Sequence, residues 1–168
     1  MQRAISRYKY ESKAGWRVIF GRILVGYLNE HSDEFEAYDA ITPSPTYTGE
    51  HAERDFDHTR MIIEAAEIEE PIAWPFEYDL VVKEARTERF ATQGSVKPWK
   101  ERKDIAEGPL RAALRVPEPD RVAGRRILVF DDVFTEGFTI REVSKALIEQ
   151  GAAEVSEIVL ARQPFRGG

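Results

Sequence analysis

The chain has 168 residues, enough for one domain with a substantial core. It is 42% hydrophobic and 32% charged, as soluble globular proteins are, and a net charge of −6 does not point to nucleic acid as a partner. The absence of cysteine excludes disulfides, thiolate metal sites and a cysteine nucleophile.

The opening stretch, MQRAISRYKYESKAGWR, has no apolar signal-like region, and no run reaches the ~18 apolar residues of a membrane span. A cytoplasmic protein with no membrane partner is expected. Residues 1–35 read as an N-terminal helical segment. Within it, WRVIFGRILVGYLNE (16–30) puts Trp16, Ile19, Phe20, Ile23, Leu24, Tyr27 and Leu28 on one helical face. A short strand near Tyr38–Thr42 runs into a Pro-Ser-Pro loop, because proline disfavours helix in the residue before it. Asp57 or Thr59 is placed to cap a helix over 58–68, with Met61, Ile62, Ala65 and Ile68 as its apolar face.

Further along, YDLVVKEA holds a strand at Leu80–Val82. Residues 86–108 are polar, basic and long, either a mobile lid loop or a weakly structured excursion. After a connector rich in turn residues (115–125) come a strand over 127–131, a helix over Thr139–Gln150, a stop at Gly151, and a strand over 155–161. Short apolar strands separated by helices define an α/β fold with a mainly parallel central sheet flanked by helices, in a single domain over 1–168.

The densest chemistry lies in ILVFDDVFTEGFT, residues 127–139. In parallel sheets, ligands sit beyond the carboxyl ends of the strands, where Asp131 and Asp132 are expected. Adjacent carboxylates repel each other, and they are tolerated where solvent, a cation or a pair of hydroxyl donors meets them. The vicinal hydroxyls of a ribose are such a pair. Thr135-Glu-Gly-Phe-Thr139 then leads into a helix whose Thr139 and Glu142 have the form of a capping box. A helix N-terminus after a glycine turn suits a phosphate. Together these features describe a socket for a phosphorylated ribose. Acids locked into internal ion pairs, with the turn plugged by side chains, would sink it. The plainer alternative is an ordinary βα loop. There is no phosphate-loop motif ending in Gly-Lys-Ser/Thr, no G-x-G-x-x-G and no D-x-D.

The same residues resemble the motif that binds 5-phosphoribosyl 1-pyrophosphate (PRPP) in type I phosphoribosyltransferases. The continuation REVSKALIEQGAAEVSEIVLAR is similar to the ComF-type, competence-related branch. So are ITPSPTYTG (41–49) and ERDFDHTRMIIEAAEI (53–68), the latter through Arg54 and Phe56, with Asp57 where the branch has Asn. VVKEAR (81–86) resembles the strand after which a basic residue meets pyrophosphate.

The resemblance implies a five-stranded parallel sheet with a small variable hood, and a homodimer. It implies transfer of a phosphoribosyl group from PRPP to an unidentified nitrogen acceptor, with Mg²⁺. Asp131 and Asp132 would hold the ribose hydroxyls, one of them orienting the metal through water. Thr135, Glu136, Gly137, Phe138 and Thr139 would form the 5-phosphate loop, and Ser44, Pro45 and Thr46 the pyrophosphate loop. Lys83, with Arg86 or Arg89, would neutralise the leaving pyrophosphate.

Glu136 departs from the pattern, which has a small residue there. An acid at that position repels a phosphate by about 1 kcal/mol unless it points to solvent. It motivates a second hypothesis, a non-catalytic PRPP- or nucleotide-binding regulatory module. A third, by family analogy alone, is a protein-interaction role in DNA uptake or processing. His31, His51 and His58 are too scattered for a metal triad; His58, near the Arg54–Phe56 segment, either lines the site or, the better reading, is a surface or helix-start residue. Trp74 reads as core, while Trp99 and Phe165 are candidates to stack on a base.

Overall fold

A computed structural model of the chain describes residues 5, 8, 15–53, 56–70, 74–88, 90–92 and 95–162. Helix α1 (Trp16–Glu30) leads through one further turn (Ser32–Phe35) to strand β1 (Ala40–Pro43), and helix α2 (His58–Glu69) follows. Four short strands come next in the chain: β2 (Val82–Lys83), β3 (Ala91–Thr92), β4 (Ser95–Val96) and β5 (Leu114–Arg115), with helix α3 (Trp99–Ile105) between the last two. The long strand β6 (Arg126–Phe134), helix α4 (Phe138–Glu149) and strand β7 (Glu154–Arg162) complete the order.

The main sheet is parallel, in the order β1–β6–β7, with Ala40 opposite Ile127 and Arg126 opposite Glu154. Side chains alternate across it. Leu128 and Phe130 enter a core with α1 and α2, whereas Ile127 and Val129 enter a second core with α4. Helices therefore cover both faces, the α/β arrangement expected from the sequence. Among the described residues no helix is long and apolar enough to cross a membrane.

Three expectations are corrected. First, the main sheet has three strands among the described residues, not five: β2 and β5 form their own antiparallel pair. Asp79 has a positive φ of 62°, which turns the chain just before Leu80 and Val81, and only Val82–Lys83 then pair. Alongside β1, Phe76 makes a single parallel bridge to Ile41. Pro75 there accepts from the Ile41 amide but has no N–H to return.

Second, the apolar face of α1 is rotated. Phe20, Gly21, Leu24, Val25 and Leu28 are buried, while Ile19, Ile23 and Tyr27 are exposed. The cause is Gly21, where a Cβ would lie 2.8 Å from the Ala66 amide nitrogen. The two helices meet backbone to backbone at that point, so the contact centres on the glycine. The same approach buries Ile63 and Ala66 of α2 and leaves Ile68 in solvent.

Third, residues 86–108 are not weakly structured in their second half. Trp99–Ile105 is helical, and a wider π-helical turn (Ala106–Leu110) carries Pro109, whose missing N–H suits a loosened turn. Ile105, Ala106 and Leu110 are buried, the last two in the α4 core beside Phe138, Ile140 and Val143.

A polar clasp fixes the base of the sheet. Glu77 accepts from Arg125 at 2.6 Å and from Arg121 at 3.0 Å, and its amide donates to the Ile41 carbonyl. Burial would raise the Glu77 carboxyl, but the hydrogen bonds from Arg125 and Arg121 outweigh it and hold the group below its ordinary value of 4.5. A depressed carboxylate stabilises the fold above its unfolded value, and the contribution is lost as pH falls through the folded value. Glu77→Gln should therefore lower the melting temperature at pH 7 and converge on wild type as pH drops below about 4. Melting curves across that range test it, and a constant gap would refute the assignment.

Candidate functional site

Pro43 lies opposite Phe130, so the residues after β1 leave the sheet beside the acids of β6. Ser44 is buried; its amide donates to the Phe130 carbonyl at 2.7 Å, and its carbonyl accepts from the Thr59 hydroxyl at 2.7 Å. The Ser44 amide is thus committed to the sheet. Pro45 and Thr46 are half-buried, and the Thr46 amide donates to Asp57 at 3.0 Å. Asp57 is the cap of α2, accepting from the amides of Thr59 at 3.1 Å and Arg60 at 3.0 Å. One aspartate thereby ties the loop to the helix.

The strand that carries the acids runs on to Phe134 instead of ending at Asp131. That continuation corrects the picture of a side-by-side pair, because successive strand residues face opposite sides of a sheet. Asp132 follows Leu128 and Phe130 onto the α2 side. It is buried, with an oxygen 3.1 Å from Nε2 of His58, itself buried. The other imidazole nitrogen, Nδ1, lies 3.4 Å from the Thr46 hydroxyl. Asp131 remains half-buried, and one of its oxygens accepts from the Asp132 amide at 2.9 Å. One acid of the two is engaged internally, and the other keeps a solvent-facing share.

The turn beyond stays open. Thr135 and Glu136 are exposed, and Gly137 and Thr139 are half-buried. Gly137, at φ +71°, takes the cap position of α4, and no side chain caps the helix. The expected capping box does not form: Glu142 is buried and pairs with Lys145 at 2.9 Å and Arg141 at 3.4 Å. Because Gly137 already turns the chain, Thr139 falls inside the first helical turn. The Phe138 ring is buried against Phe90 and Trp99.

Glu136 is bridged from outside the loop. Arg102 of α3 meets it at 2.7 Å. Helix α3 and the Gly137 turn are therefore in direct contact.

The basic candidates lie off the main sheet. Lys83 sits on the β2–β5 pair, with its amine donating to Thr87 at 2.7 Å. Arg86 is exposed and approaches Glu53, in the loop after β1, at 3.9 Å. Arg54, Arg89 and Phe165 lie outside the described residues. Trp74 is core, donating to Asn29 at 2.8 Å; Trp99 is 57% exposed and sits over the start of α4. His51 is exposed on a positive-φ turn and His31 is half-buried at the end of α1. Sequence reasoning misses Arg102 and ranks the surface reading of His58 above the site reading, whereas His58 is buried beside Asp132. For His58 the available signal is an Asp-His pair opening a helix whose next turn is buried. For Arg102 it is a basic helix in a chain whose phosphate-type loop carries an unexpected acid.

No family model matches the chain. In fold it is similar to the glutamine PRPP amidotransferase of B. subtilis, solved with ADP and GMP: TM-score 0.51, 21% identity, 88% of this chain and 26% of that one. The architecture is that of a type I phosphoribosyltransferase. In sequence the chain is similar to the competence protein ComFC of Streptococcus pneumoniae (strain ATCC BAA-255 / R6), at 30% identity over 164 residues. The match covers 96% of this chain, which spans 63% of the length of that relative.

Proposed function

We propose that the chain binds PRPP across the ends of β1 and β6 and transfers its phosphoribosyl group to a nitrogen nucleophile. The observation that carries this is the adjacency of three parts on a phosphoribosyltransferase fold. These are the Ser44–Thr46 loop, the half-open Asp131, and the Gly137 turn that opens α4 without a side-chain cap. Amides at a helix N-terminus favour a phosphate.

In the reaction, the bond from the anomeric carbon to the pyrophosphate oxygen breaks, the nitrogen forms the new bond, and the nitrogen's proton is lost. Positive charge grows on the ribose and negative charge on the leaving group. Asp131 is suited to the ribose hydroxyls. Asp132 braces the strand end through His58. Lys83 and Arg86 offset the pyrophosphate charge, and Thr46 bounds the loop that holds it.

Among the described residues, no three acids or histidines gather as a metal cage. Mg²⁺ typically takes one or two carboxylates and fills its shell with water and phosphate oxygens. The donor set fits such an ion carried on the substrate, with Asp131 as its protein contact and Asp132 acting behind it. When bound, Mg²⁺ would neutralise charge on the departing pyrophosphate.

Calorimetric titration with PRPP and Mg²⁺, followed by pyrophosphate release against a panel of bases and amines, tests the reading. Heat and release together support it; no heat at millimolar PRPP with folded protein refutes it. Binding without release selects the second reading, a regulatory PRPP sensor. Two internal engagements favour that one: Asp132 with His58, and Glu136 with Arg102.

A further inference from the structure

Glu136 is the one loop residue whose charge opposes the proposed ligand, and the structure shows what meets it. Arg102 reaches it from α3 with a single nitrogen, Nη1, at 2.7 Å. The Arg102 side chain is only 15% exposed, and its Nε is buried with no hydrogen-bond partner among the described residues. A buried guanidinium N–H left unpaired is unusual, because each such donor forfeits its hydration. Guanidinium is a planar fork made for two parallel bonds to a carboxylate or phosphate, yet Glu136 meets it only as an ion pair through one nitrogen. The arm is not adrift. Trp99, at the start of α3, packs on Phe138, as does Phe90, and Ala106 and Leu110 anchor the following turn in the α4 core. Arg102 is thus held at the mouth of the Gly137 turn with donor capacity to spare.

We propose that Arg102 is a phosphate-binding residue of this turn, and that Glu136 is its internal stand-in while no ligand is present. The inference rests on reading the turn as the 5-phosphate seat. A phosphomonoester dianion at the start of α4 offers Arg102 two oxygens where Glu136 offers an ion pair to a single nitrogen. The Glu136 carboxylate, a third exposed, then rotates into water. The acid that breaks the family pattern thereby acts as a competitor within the site, tuning affinity downward and keeping α3 docked between ligands.

The test is titration of ribose 5-phosphate, with pyrophosphate as the control anion, into wild type, Arg102→Gln, Arg102→Lys and Glu136→Gln. Arg102→Gln should weaken ribose 5-phosphate about ten-fold, the scale of one charge-assisted bond. Arg102→Lys should recover part of the loss, and Glu136→Gln should tighten binding several-fold. A purely structural ion pair would lower melting temperature in Arg102→Gln and Glu136→Gln without moving affinity. If wild type binds and Arg102→Gln and Glu136→Gln each leave ribose 5-phosphate within two-fold, the assignment of Arg102 is overturned while the phosphate seat stands. Weakening of ribose 5-phosphate and pyrophosphate alike by Arg102→Gln would also overturn it, as a non-local effect. If neither wild type nor any variant binds, the seat itself is refuted. Binding by Glu136→Gln alone supports the stand-in role.

Discussion

Replacing His58 by alanine is expected to cost about 3 kcal/mol of stability, the scale for taking a close polar partner from a buried acid while truncating a buried ring. For a domain of this size that is a fall in melting temperature of about 6–12 °C. The imidazole is buried where α2 meets β6, with Asp132 on Nε2 and Thr46 on Nδ1, and the Tyr8 hydroxyl donates to the His58 carbonyl at 3.1 Å. Truncation leaves the Asp132 carboxylate facing a void and frees the Thr46 loop from one tether. Gln keeps a donor near the Nε2 position, so His58→Gln should recover at least half of the loss. Chemical denaturation of the three proteins measures this. An alanine variant within about 1 kcal/mol of wild type would show that the pair contributes nothing net, as some buried pairs do not.

His58 also shows where sequence reading stops. The positions of α1, α2, α4, β1, β6 and β7 are legible because each has a period or an apolar run with turn residues at its ends. The ComF-like likeness is legible because its motifs are local. The illegible features depend on distant partners. Asp131 and Asp132 look like a pair in the sequence, but the strand continues and alternation sends them to different faces. Nothing near Asp132 in sequence announces His58, and nothing near Glu136 announces Arg102. The α1 face is misplaced by periodicity for a similar reason. Periodicity counts apolar side chains, whereas the contact is set by Gly21, which has none. Residues 99–110 resemble loop in the sequence because the exposed side of the helix is dense in charge. Its buried side is only Ile105, Ala106 and Leu110, too sparse to stand out.

The turn into α4 yields the other large expected effect. Gly137 sits at φ +71°, in the left-handed region, where an L side chain costs about 1–2 kcal/mol. A Cβ there would also fall 2.8 Å from Cε2 and 2.9 Å from Cζ of the Phe134 ring. The ring must move or the backbone must turn over. Phe134 is packed against the α4 core and lies beneath the Arg162 guanidinium, 5.2 Å away, so its room to move is limited. Gly137→Ala should therefore lose about 2 kcal/mol of stability through backbone strain with added crowding. Its effect on ligand should be larger. The turn aims the first amides of α4, and a changed φ at the cap redirects them, so ribose 5-phosphate affinity should drop about ten-fold or more, on the order of one or two lost charge-assisted bonds. Gly108→Ala is the matched control, since a Cβ at Gly108 meets nothing within 4 Å and its φ is not positive. That variant should keep both stability and affinity. If Gly137→Ala is destabilised yet binds as tightly as wild type, the amides of this turn are not what holds the anion, and the phosphate must be sought elsewhere along the strand ends.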